Sequence, residues 1–231
     1  MANLVNDDGQ PQGGHSMTQA KLLIIGASKG IGRCAVTAAL ERGCLVRAMA
    51  RNPAAIELKH DRLELFSGDA TDHEAVRRAL DGVDAVLITL GIGSSPLRLL
   101  RPVTLFSRST DVVVSEMLAR GPRRLIVVTG YGAGDSRGAL NAIEGMAHGL
   151  ILGRAYADKG IQEEIVKRSG LDWTIVRPTI LTNGPPQGKF QVLSTPESWR
   201  NGLISRADVA QFLVDRALDR QYLQESPVLA Y

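Results

Sequence analysis

The chain has 231 residues, 44% hydrophobic and 22% charged, which is enough to bury one good core in a single domain and excludes a disordered protein. Its formal charge of +3 is small, and its basic residues are scattered (Arg77 and Arg78, Arg98 and Arg101, Arg123 and Arg124) without aromatic interleaving, which argues against nucleic acid as a partner. The two cysteines, Cys34 and Cys44, have neither metal-ligand spacing nor the density of a disulfide framework, and no apolar run is long enough to cross a bilayer, so a cytoplasmic protein without a membrane partner is expected.

Residues 1–19 are rich in Gly, Asn, Asp and Gln and show no apolar period, so they are expected to form a disordered tail, with Met17 the more natural start. A domain over 20–231 follows. Its first expected strand, 21–26, runs directly into Gly26-Ala-Ser28-Lys29-Gly30-Ile31-Gly32-Arg33 and then a helical pattern over 30–43. Glycines at 26, 30 and 32 permit a tight turn and a close backbone approach to phosphate, while helix N-terminal amides supply partial positive charge. That layout predicts a dinucleotide pocket.

The second strand, 44–50, closes on Ala50-Arg51-Asn52, where an acidic residue would accept from the 2′-hydroxyl of NAD. A guanidinium there instead suits a 2′-phosphate, and Lys29 and Arg33 add positive charge, so NADP(H) is the expected cofactor. A third strand over 62–67 brings Asp69 and Ala70 beside the adenine, and after a helix over 72–80 a fourth strand, 84–89, leads to Leu90 and Gly91 beside the adenine ribose. Helices over 104–120, 154–169 and 206–218, the last with Ser205 as N-cap, alternate with strands over 123–129 and 172–177. Strand, helix, strand implies right-handed parallel crossovers, and runs such as Ala85-Val-Leu-Ile88 suit strands covered on both sides. The expected fold is therefore α/β: a single Rossmann-type doubly wound parallel sheet with helices on both faces. Two irregular stretches, Gly91 to Pro102 and the glycine-rich Tyr131 to Gly153, join Thr179 to Arg200 on the expected substrate side.

With these residues in view, 20–231 resembles the short-chain dehydrogenase/reductase superfamily, since Gly26 to Gly32 has its G-x-x-x-G-x-G spacing. Arg123-Arg-Leu-Ile-Val-Val-Thr-Gly-Tyr-Gly-Ala-Gly-Asp135, Gly170-Leu-Asp-Trp-Thr-Ile-Val-Arg-Pro178 and Ser205-Arg-Ala-Asp-Val-Ala210 look like its atypical branch. That branch includes flavin and biliverdin reductases and NmrA-like redox sensors. The resemblance implies NADP(H) binding and a reductase activity. It places Lys159 on the nicotinamide ribose, Thr129 at the hydroxyl that polarises a carbonyl, and Pro178 and Thr179 at the carboxamide. The usual tyrosine four residues before the lysine is replaced by Ala155, and Tyr156 stands one residue late. One residue turns a helix by about 100°, so Tyr156 is expected to pack rather than act, and Tyr131 becomes the alternative proton donor.

Two mechanisms remain open. NADPH passes hydride to an acceptor needing little acid help, such as a flavin, quinone or conjugated tetrapyrrole, or Tyr131 or Thr129 assists a carbonyl. His60, His73 and His148 form no spaced cluster with carboxylates, so no metal is expected. The string Gly26-Ala-Ser28-Lys29-Gly30 formally matches a nucleophile elbow but stands at the first strand, without an acid and a histidine in order after it. The expected partner is a small-molecule substrate, and the chain a monomer or homodimer. The rivals are a non-catalytic NADP(H) redox sensor acting through a protein partner, and an epimerase or lyase that retains its cofactor.

Overall fold

In β1 (Lys21–Ile25) the side chains of Leu22, Leu23, Ile24 and Ile25 are all buried, because successive residues of a central strand feed opposite faces. Leu22 and Ile24 enter one core, while Leu23 and Ile25 enter the other. The structure is a computed structural model that describes residues 19–91, 103–139 and 142–231. The expected tail before Gln19, including Met17, and all of the stretch from Gly91 to Pro102 except Gly91 lie outside the described residues.

Helix α1 (Gly30–Glu41) follows the glycine turn and leads into β2 (Leu45–Ala50) and β3 (Leu63–Ser67). Then come α2 (His73–Ala79), β4 (Ala85–Ile88), α3 (Leu105–Arg120) and β5 (Arg124–Val128). After a short 3-10 helix over Gly134–Ala139, α4 (Ala142–Arg168) returns the chain to β6 (Asp172–Pro178). The C-terminal part holds β7 (Ile180–Thr182), β8 (Gln191–Leu193), β9 (Leu203–Ser205), α5 (Arg206–Asp219) and β10 (Val228–Ala230).

Among the described residues the main sheet has eight strands in the order β3-β2-β1-β4-β5-β6-β10-β8, parallel throughout except where β8 pairs antiparallel with β10. α1 and α5 cover one face through Ala35, Val36, Ala39, Val209, Leu213 and their neighbours. α2, α3 and α4 cover the other through residues such as Val76, Val113, Met117 and Val166. The order reverses between β1 and β4, and an open α/β sheet binds ligands in the crevice at that switch point.

One expectation changes. The stretch expected to be irregular up to Gly153 is helical from Ala142, so α4 begins twelve residues before the expected 154. Alanine, leucine, isoleucine and methionine between its glycines are good helix formers, and a glycine costs only about 1 kcal/mol relative to alanine inside a helix. Arg124, one of the cations scattered along the sequence, is 2% exposed. It donates to Arg216 O (2.8 and 3.0 Å) and Asp172 O (2.9 Å), tying the last turn of α5 to the start of the sheet. Burial pulls its pKa down to about 10, so it remains charged.

Candidate functional site

The glycine turn is built by contact distances. Gly26 has φ +88°, a left-handed value that favours glycine, and a Cβ on it would lie 3.0 Å from the Thr89 carbonyl. A Cβ on Gly32 would stand 2.3 Å from Gly26 O and 2.5 Å from Thr89 Oγ1, which itself donates to Ile25 O at 2.8 Å. The third glycine is thus what lets α1 settle on β1 and β4. α2 and α5 have side-chain caps in Asp72 and Ser205, whereas the residue preceding α1, Lys29, offers no side-chain hydrogen bond to its first turn. Those amides stay available to an anion.

Above the turn lies a cavity of about 770 Å³ at the carboxyl ends of β1, β2, β4 and β5. Of the residues expected at the site, Gly26, Ser28, Lys29, Gly30, Ile31, Arg51, Asp69, Ala70, Leu90, Gly91, Thr129 and Lys159 all line it. Its lining carries four cations, Lys29, Arg51, Lys159 and Arg206, against one carboxylate, Asp69. Asp69 accepts from the Thr71 amide (2.9 Å) and hydroxyl (2.8 Å), and the amide above all holds its pKa low. Arg51 is exposed and has no ion-pair partner among the described residues. The cavity therefore suits a large anion.

Other expected residues stand elsewhere. Gly32 lies beneath the turn rather than in the lining, and Arg33 is exposed on α1 and is not part of the wall, so the further cation at the cavity is Arg206. Pro178 and Thr179 are buried outside the lining, with the Thr179 hydroxyl donating to Leu229 O at 3.0 Å. Tyr131 is 3% exposed, packed in an apolar cluster with Leu193, Val228 and Ala230 and against Trp199, also outside the lining. In the described part of the segment after it, Asp135 is ion-paired to Arg177 and to Lys167.

Thr129 lines the cavity, but its hydroxyl donates to Glu163 at 2.7 Å. Glu163 is fully buried and ion-paired with the equally buried Arg177. Lys159 donates to Thr129 O at 2.6 Å and stands 4.6 Å from the centre of the Phe106 ring. Burial draws its pKa down to about 8 against the opposing pull of Glu163 and Asp158. Asp158 fixes this register by accepting the Phe106 amide at 2.8 Å, which pins α4 to the start of α3. Tyr156 is half-buried with its hydroxyl against Gly130, where a Cβ would come within 2.8 Å, and burial raises its pKa.

Met49, Asn52, Leu105, Leu181 and Arg206 are among the further lining residues that were not legible as site residues in the sequence. Arg206 alone left a signal: a cation in the first turn of a helix opposes the macrodipole. Among the described residues no group of three or more His, Cys, Asp or Glu could hold a metal ion, and no helix is long and apolar enough to cross a membrane.

Comparison with known proteins bears on this cavity. A family model described as NAD(P)H-binding matches residues 26–220. An uncharacterized chloroplastic protein of Arabidopsis thaliana is 26% identical over 215 residues, covering 87% of this chain and 73% of that one. The solved structure of an anaerobillin reductase from Escherichia coli is similar at a TM-score of 0.75 and 27% identity, over 91% of this chain and 97% of that one. A short-chain dehydrogenase/reductase from Veillonella parvula, in complex with NADP, shares the fold at a TM-score of 0.74 and 18% identity, over 92% and 94% of the two chains.

Proposed function

The chain belongs to the NAD(P)H-binding family, within the atypical short-chain dehydrogenase/reductases, and from that premise we propose that it is an NADPH-dependent reductase of a small apolar or conjugated acceptor such as a flavin, quinone or carbonyl compound. The observation that carries this reading is Arg51, exposed at the cavity wall just after β2 with no ion-pair partner among the described residues. An acidic residue in that place would hydrogen-bond a 2′-hydroxyl, whereas a guanidinium binds a 2′-phosphate through paired N–H donors. Lys29 adds a second charge, and the uncapped amides of α1 receive the diphosphate.

NADPH, when bound, supplies a hydride. The chain's own contribution is to hold the nucleotide and to manage one proton. With the Thr129 hydroxyl committed to Glu163 and Tyr131 packed outside the lining, Lys159 is the group at the cavity wall whose proton is exchangeable near neutral pH. That favours an acceptor that needs little acid assistance over one that needs a strong donor at a carbonyl. Lys159 is assigned to the nicotinamide ribose, with its Thr129 O bond as the anchor.

The same commitment of Thr129 and burial of Tyr131 favour, as a second reading, a non-catalytic NADP(H) sensor acting through a protein partner. Titration of NADPH and NADH into the ligand-free protein, beside NADPH oxidation with flavins, quinones, tetrapyrroles and aldehydes, tests both. Arg51→Asp should weaken NADPH at least tenfold more than NADH, since a lost charge-assisted contact is worth about 1.5–3 kcal/mol. Equal losses for the two cofactors would refute the NADPH preference, and tight binding without turnover on any acceptor would leave the sensor.

A further inference from the structure

Arg206 has no task in the reading above, yet it lines the same cavity. Its stem lies along the phosphate turn: a Cβ on Gly30 would stand 3.9 Å from both Cδ and Nε of Arg206. Its Nη1 donates to Asn183 Oδ1 at 2.7 Å and to Leu181 O at 3.4 Å. Both acceptors are neutral, and among the described residues no carboxylate forms an ion pair with it. A guanidinium has five N–H donors, so these acceptors leave part of the fork uncommitted.

The position is electrostatically poor without a further anion, because the carboxylate of its own turn, Asp208, is taken up by the Ser205 and Tyr231 hydroxyls and the amides of Gln187 and Gly188. Arg206 is the first residue of α5, where the helix dipole favours negative charge, and it stands beside the start of α1, preceded by Lys29. Nor does the cap of α5 need it, because the Ser205 hydroxyl already accepts from the Asp208 amide at 2.9 Å. A breach of local rules without a compensating ion pair among the described residues marks a functional position.

We propose that Arg206 binds the cofactor diphosphate from the side opposite α1 and reports its presence to the substrate side, an inference that rests on the nucleotide reading of the cavity. The route is short. Leu181 lines the cavity and, like Thr182, is held by β9; beyond them the chain is tied to α5 by Arg206 at Asn183 and by Asp208 at the amides of Gln187 and Gly188 (3.0 and 2.8 Å). Both anchors leave the first turn of α5. A diphosphate that fixes the guanidinium thereby fixes Asn183, and the strap from Asn183 to Gly188 is held more firmly when the nucleotide is in place.

Calorimetric titration of wild type, Arg206→Gln and Arg206→Lys with NADPH, NADH and adenosine 2′-monophosphate tests this, together with amide hydrogen exchange over 183–188. Arg206→Gln should weaken NADPH and NADH by the same factor, about 10- to 100-fold for one charge-assisted contact, and leave adenosine 2′-monophosphate, which has no diphosphate, within twofold. Arg206→Lys should fall between. NADPH should slow exchange at the amides of Asn183, Gly184, Gln187 and Gly188 in wild type and not in Arg206→Gln. Asn183→Ala, a milder change, should retain nucleotide binding while losing that protection. NADPH and NADH affinities within twofold of wild type in Arg206→Gln would overturn the proposal, as would an equal loss for adenosine 2′-monophosphate. Failure of the wild type itself to bind either dinucleotide would instead overturn the reading of the cavity, and the role of Arg206 with it.

Discussion

Lys159 sits between a carbonyl that wants its proton and a buried setting that resists its charge. With a pKa near 8, the ammonium that grips Thr129 O is present in neutral solution and is lost as pH rises through that value. The KM for NADPH should therefore climb above about pH 8, and Lys159→Met should remove that inflection while raising KM at neutral pH. A pH profile of initial rates for both proteins checks this. At Gly32 the prediction is steric: Gly32→Ala drives a methyl into Gly26 O and the Thr89 hydroxyl, so it should cost about 1–3 kcal/mol in urea unfolding and weaken NADPH more than tenfold. Residues of the turn and Arg51 were readable because their roles follow from backbone geometry and charge next to a strand end. Tyr131 and Thr129 were harder, since what commits them, a cluster with Leu193 and Val228 and a bond to Glu163, comes from chain 34 to almost 100 positions away.

Among the elements, α5 does the most to organise the substrate side. Asp208, buried in its first turn, accepts from the Ser205 and Tyr231 hydroxyls (both 2.6 Å) and from the Gln187 and Gly188 amides. Burial alone would raise its pKa, but these donors outweigh burial and hold the carboxyl below its usual range. The stabilisation is present above the ordinary carboxylate pKa and disappears as pH falls through the lowered one. Asp208→Ala should cost about 2–3 kcal/mol by urea unfolding and speed proteolysis between Asn183 and Lys189. Ser205 as N-cap was visible from its place ahead of an apolar period, and the structure has it accepting the Asp208 amide. The short strands β7 to β10 were not visible. Three residues carry too little periodicity to be read, and these strands exist because β10 pairs with β6 and β8, and β7 with β9, each between segments distant in sequence. The early start of α4 was hidden in the same way, by glycines that read as loop.

At the scale of the whole chain, the cavity is walled by α1, by the strand ends and by α5, so a ligand bound there joins segments distant in sequence. A ligand that binds only the folded state at a hundred times its Kd adds about 2.7 kcal/mol. For a chain of 231 residues, NADPH at that excess should raise the melting temperature by about 5–10 °C in scanning fluorimetry. NADH at equal concentration should give a smaller rise if Arg51 selects the 2′-phosphate. The succession of β1 to β6 along the chain, and their burial on both faces, could be anticipated from the apolar runs, because burial on two faces leaves a strong imprint on composition.

The two outermost strands carry a consequence for behaviour in storage. One border of the sheet is β8, only three residues long, and the other is β3, where Glu64 is bound by Lys21 and Arg47. A border of three residues offers few unsatisfied amides to a neighbouring molecule, and charge on the opposite border makes stacking costly. Concentrated samples held under native conditions should therefore resist fibre growth, with thioflavin fluorescence staying flat over time.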